Sequence, residues 1–135
     1  MGKWYQPKIK KQQGYVYVLL FPDYSTYVGY TKNTVEKRWA NGKGYYWQPQ
    51  MRDAIERYGW ERIRRFYCNI PDEKLGWFAE SLLIALLNSQ RDGYNISCGH
   101  YMKSINRTSA TNFFNKFPDV KQMYNNIMLT KELHM

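Results

Sequence analysis

The chain has 135 residues, of which 44% are hydrophobic and 18% aromatic, and its 20 Lys+Arg against 11 Asp+Glu give a formal charge of +9. That length holds one domain with a real core and excludes two comfortable ones. The positive excess selects a polyanionic partner, nucleic acid first and an anionic membrane surface second. No apolar stretch reaches the roughly 18–20 residues of a bilayer span, and MGKWYQPKIKKQQ lacks the apolar core of a secretion signal, so no membrane partner and a cytoplasmic location are expected. Cys68 and Cys98 have no close Cys or His at zinc spacing and read as two reduced thiols.

Residues 1–13 carry Lys3, Lys8, Lys10 and Lys11 with little apolar pattern, as a basic arm or a solvated tail would. Tyr15–Phe21 alternates with apolar residues on both faces, Tyr15, Tyr17 and Leu19 against Val16, Val18 and Leu20, which predicts a central strand covered on both sides. Pro22-Asp23-Tyr24-Ser25 supplies a turn and Thr26–Gly29 a returning strand. Tyr17 and Tyr27 then share one face of a hairpin. Asn33 followed by Glu36 predicts a capping box and a helix carrying Lys37, Arg38 and Trp39. Arg38, early in that helix, reads equally as a phosphate contact or as a surface arginine.

Residues 41–49 form a glycine-rich loop with Lys43 and the run Tyr45, Tyr46, Trp47, whose rings either fold onto the core, the favoured reading, or face a partner. Met51, Ala54, Ile55 and Tyr58 mark one face of a helix over Gln50–Tyr58, with Gly59 as its C-cap. Ile63–Ile70 reads as a third strand ended by Pro71. Glu73–Asn88 reads as a long helix with Asp72 as N-cap. Between Trp77 and Leu87 only Glu80 and Ser81 are polar, so Glu80 sits in an otherwise apolar segment, where a carboxylate needs a salt bridge or a metal to offset its desolvation. Asn95 follows the Asp92-Gly93 turn and precedes a small-residue run, Ser97-Cys98-Gly99, that lets backbone approach closely. Beyond Lys103, helical patterns cover Ala110–Lys116, ended by Pro118, and the stretch after Asp119. His100 and His134 have no partner at ligand spacing.

Taken in order, these residues resemble the GIY-YIG nuclease family, the catalytic domain type of many homing endonucleases, over Tyr15 to His100. The first family signature appears as Tyr15-Val16-Tyr17 and the second as Tyr27-Val28-Gly29, the signature tyrosines lying ten positions apart. The family arginine matches Arg38, the glutamate Glu80 and the asparagine Asn95. Two positions depart from the pattern. Tyr15 stands where the family has glycine, and Gly42 stands four residues after Arg38, where many relatives carry a proton-handling His or Tyr, a part that Tyr45 or Tyr46 is placed to supply.

The resemblance implies a small α/β fold, a three-stranded antiparallel sheet flanked by helices, over 14–102, with a helical extension over 103–135. It implies a metal-dependent endonuclease acting on double-stranded DNA, as a monomer or a homodimer, with Glu80 holding a single Mg²⁺ or Mn²⁺ among water ligands. Arg38 would stabilise charge growing on phosphorus, Asn95 would support the site, and Tyr17, rather than Tyr27, would take the proton of the attacking water. Lys32, Lys37, Lys43, Tyr45 and Tyr46 are the expected nucleic-acid contacts. A catalytically silent DNA-binding module of the same fold is the rival.

Overall fold

A computed structural model describes residues 13–133, so the expected basic arm falls outside the described residues except for its last position. The sheet is antiparallel with order β2-β1-β3, from β1 (Tyr15–Leu20), β2 (Thr26–Thr31) and β3 (Arg64–Asn69). β1 is central, as its two apolar faces demand. Tyr17 is paired with Gly29 on one side and Tyr67 on the other.

The period-two alternation divides the core into two layers. Val16, Val18 and Val28 face α3 (Glu73–Leu87), α4 (Arg107–Lys116) and α5 (Pro118–Leu133), where Leu82, Leu83, Phe113, Val120 and Ile127 join them. Tyr17, Leu19 and Phe21 face α1 (Val35–Trp39) and α2 (Pro49–Tyr58), where Trp39, Met51 and Ile55 complete the second layer. Each fully buried aliphatic contributes about 1.5–3 kcal/mol. The C-terminal helices therefore share a core with α3. Among the described residues no helix is long and apolar enough to cross a membrane.

Several boundaries differ from expectation for local reasons. The returning strand continues to Thr31, because Gly29 stays in the ladder opposite Tyr17. The N-cap of α1 is Thr34, whose hydroxyl accepts from the Lys37 amide at 3.3 Å, while the Asn33 amide donates to Thr31 Oγ1 at 3.1 Å. The helix starts one residue later than the Asn33–Glu36 box would set it, and both residue types cap well. Pro118 opens α5 instead of only closing α4, using the tolerance of a first helical turn for a residue without an N–H. Asp72 caps α3 as expected, accepting from the Leu75 amide at 3.0 Å.

Two glycines set how closely layers approach. A Cβ on Gly76 would overlap the ring of Tyr30, so its absence lets α3 lie directly on β2. Glu80, one turn along the same face of α3, is thereby carried to the outer edge of β2. Gly99, with φ +87°, packs against Ser81, whose hydroxyl accepts from the Tyr101 amide at 3.0 Å. That is the close approach for which the small-residue run provides.

Candidate active site

β2 lies at the sheet edge, so its even-numbered residues point their amides and carbonyls away from β1. Each of the three is claimed by a later part of the chain. The Thr26 carbonyl accepts from the Tyr94 amide at 3.0 Å. Val28 is clamped by Asn95, whose Oδ1 accepts from the Val28 amide and whose Nδ2 donates to the Val28 carbonyl, both at 2.8 Å. The Tyr30 amide donates to the Glu80 carboxylate. Asn95 thus mimics a paired strand residue across 67 positions of sequence.

Glu80 is half-buried, and burial pushes its carboxyl up from 4.5 to about 7, against the opposing pull of the Tyr30 amide. No cation pairs with it among the described residues, whose ion pairs are the adjacent Arg52–Asp53 and Arg91–Asp92. It shares a recess of about 170 Å³ with Tyr27, Trp47, Gln48, Asn95 and Ile96.

Behind Tyr27 lies a phenol cluster. Tyr17 and Tyr45 are buried at 1% and 0% exposure, and the Tyr45 hydroxyl donates to that of Tyr17 at 2.8 Å. Tyr27 sits over both, with ring centroids 6.4 Å from Tyr17 and 5.3 Å from Tyr45. Tyr17 fits only because its strand partner is glycine, since a Cβ on Gly29 would overlap the Tyr17 hydroxyl and Cζ. Burial, with Tyr27 beside it, raises the Tyr17 phenol well above its ordinary range, against the opposing influence of Arg38 and the Tyr45 hydrogen bond. Burial raises Tyr45 too.

Arg38 reaches this cluster through an unusual turn. α1 stops after five residues because Ala40, Asn41 and Gly42 take left-handed φ values of 46°, 56° and 92°, which bring the chain back on itself. Gly44 then meets Arg38, and a Cβ there would overlap the Arg38 carbonyl. Arg38 Nη1 donates to the Gly44 carbonyl at 2.9 Å, and the guanidinium lies 4.4 Å over the Tyr45 ring. Burial opposes its charge, but Tyr17, Tyr45 and Tyr27 outweigh that and raise its pKa. The same Gly44 carbonyl accepts from Trp47 Nε1 at 3.1 Å.

Of the expected site residues, Tyr27, Glu80 and Asn95 line one recess, and Tyr17 and Arg38 form the wall behind Tyr27. The expected nucleic-acid contacts divide. Lys37 and Lys43 are exposed, Tyr46 is 44% exposed, and Lys32 is exposed with its Nζ donating to the Pro71 carbonyl at 2.8 Å. Tyr45 is corrected from a surface contact to a core residue, since its whole ring is buried and its hydroxyl is committed to Tyr17. Tyr15 meets no glycine-dependent crowding, because it turns to an edge contact with Tyr67 at 6.0 Å. Gly42 is buried with its φ in the left-handed region, so that position serves the turn carrying Arg38 back to Gly44.

Three participants carried no separate signal in the sequence: Gln48, Ile96 and the Gly44 carbonyl. Among the described residues no group of three or more His, Cys, Asp and Glu gathers as a metal cluster. A cation at Glu80 would rest on one carboxylate, with water and substrate oxygens for its other ligands, a donor set suited to a hard divalent ion. The carboxylate's burial without a cationic neighbour fits that role. No family model, curated protein or solved structure matches the chain.

Proposed function

We propose that the chain is a divalent-metal-dependent endonuclease that hydrolyses DNA phosphodiester bonds at the recess bounded by Tyr27, Glu80 and Asn95. The observation that carries this reading is the Glu80 carboxylate, half-buried with no cationic partner among the described residues, in the same recess as one phenol of an arginine-bearing phenol cluster. A bound Mg²⁺ or Mn²⁺ supplies polarisation of the scissile phosphate and stabilisation of the leaving oxygen. Glu80 holds that ion as the carboxylate. Asn95 fixes the recess wall by locking the loop after α3 onto β2. Arg38, held by Gly44 and the phenols, provides fixed positive charge for the oxygens that gain charge on phosphorus.

For the proton of the attacking water, Tyr27 is the favoured acceptor in place of Tyr17. Tyr27 lines the recess, whereas the Tyr17 hydroxyl is buried against Tyr45. Tyr17 then orients Tyr27 and Arg38.

The test is nicking of supercoiled plasmid. The unmutated chain is expected to nick in Mg²⁺ or Mn²⁺ and not in EDTA, and Glu80→Ala to bind DNA without nicking. Absence of nicking in either metal overturns the enzyme reading. It would favour a silent DNA-binding module, which the burial of two of the three phenols and the +9 charge also suit.

A further inference from the structure

The recess beside Glu80 does not end at Glu80. Gln48, Asn95 and Ile96 also line a second, adjacent hollow of about 530 Å³, whose walls add Met51, Tyr94 and Gln90. Apolar walls with a few amides are the surroundings that an aromatic heterocycle with polar edges requires.

Gln48 sits where the two hollows meet. It is 7% exposed, yet its side-chain amide makes no hydrogen bond to any described residue. Its donor and acceptor are therefore free to meet a ligand. Gln48 lines both hollows, and one carboxamide offers a donor and an acceptor side by side, the pair that a base edge matches.

Two large apolar side chains stand at the mouth. Trp47 is 73% exposed and Ile96 78%, and both line the first recess. Trp47 does not swing freely, because its indole N–H is fixed to the Gly44 carbonyl at 3.1 Å. An exposed, fixed indole beside a phosphate site on a chain of charge +9 is a stacking platform for a nucleobase. The Gly44 carbonyl is also the acceptor for Arg38, so the platform and the cationic group share one anchor.

We propose that the outer part of the recess, where Trp47, Gln48 and Ile96 line it and the second hollow adjoins, receives the unpaired base of the nucleotide next to the scissile phosphate, stacked on Trp47 against Ile96 and read at its edge by Gln48. The substrate is therefore DNA with an unpaired nucleotide at the cut, and uninterrupted duplex is the poorer one. A base still paired in a duplex must first be unpaired and unstacked, at a cost in free energy, before it can enter. This proposal rests on the endonuclease reading for what lies beside the hollow, but its test does not require turnover.

The experiment uses the full chain in EDTA and one oligonucleotide sequence in two forms, fully paired and with a single unpaired 2-aminopurine. The bulged form is expected to bind about tenfold or more tightly, with a change in 2-aminopurine fluorescence as its stacking partners change. Trp47→Ala, at an exposed position where folding is not at stake, should remove most of that preference, bringing bulged-form affinity to within about twofold of the paired form. Gln48→Leu should reduce it as well, after circular dichroism has confirmed folding. Equal affinity for the two forms overturns the proposal, as does a Trp47→Ala variant that weakens both forms alike. Plasmid nicking in Mg²⁺ separates the two readings. A bulge preference without nicking keeps the base pocket and ends the nuclease, whereas nicking without a bulge preference does the reverse.

Discussion

Replacing Glu80 by glutamine should stabilise the metal-free protein, and the gain should depend on pH. Glutamine keeps the shape and the acceptor for the Tyr30 amide but never ionises. The native carboxyl titrates near 7 because burial disfavours its charge, against 4.5 for the ordinary group. Its folded-state pKa is therefore the higher one, so the native state holds the proton more tightly than the unfolded chain does. Below about pH 4.5 both states are protonated and no penalty exists. Between there and about pH 7 the penalty grows, and above pH 7 it is complete. The gap corresponds to about 3 kcal/mol, reduced to about 2 kcal/mol because the carboxylate is partly solvated. For a chain of this size that is on the order of 6–10 °C in Tm. Thermal melts in EDTA should show Glu80→Gln and the parent converging near pH 4.5 and separating at pH 8, with the variant higher. Mg²⁺ at pH 8 should then raise the parent and not the variant, since ligand binding to the native state stabilises it. A variant no more stable than the parent in EDTA at pH 8, or a difference that does not vary with pH, would refute the claim that this carboxylate is buried without a compensating cation.

Gly29→Ala drives a methyl into the Tyr17 hydroxyl, and overpacking at so enclosed a position should cost about 1–3 kcal/mol in urea denaturation, with Tyr17→Phe in the same chain recovering part of it. Asn95→Ala leaves the Val28 amide and carbonyl uncapped and should cost about 1–3 kcal/mol, with faster amide exchange at Val28 than at its β1 partner Val18. Arg38→Lys keeps the charge but loses the planar fork shared between Gly44 and the phenols. Nicking should fall by about 10²-fold with DNA affinity nearly unchanged, and an equal fall in affinity would mean that Arg38 only binds.

The sheet was legible in the chain because its signal is local. Alternation over Tyr15–Phe21 is enough to make β1 central, and a cap at Asp72 followed by a long apolar run is enough to start α3. The run Tyr45-Tyr46-Trp47 was not legible, since three adjacent aromatics have no period. Only the left-handed turn at Ala40–Gly42 decides that Tyr45 goes in and Trp47 out. Asn95 has the local pattern of a turn-former, and its partner lies 67 positions away on an edge that no local pattern specifies. Gln48 gave no signal for the same reason: an amide becomes informative only when the fold shows which hollows it lines.

The clamping of β2 also limits how two copies of the chain can meet. An edge strand with free amides and carbonyls is a template on which another strand can add. Here Tyr94, Asn95 and Glu80 occupy the outward positions of Thr26, Val28 and Tyr30. A second copy can extend the sheet across β2 only by stripping away Asn95 and Glu80. Association through that edge and an intact recess exclude each other, so under the nuclease reading proposed above a working dimer must be joined elsewhere, and a strand-swapped aggregate formed there should not nick DNA.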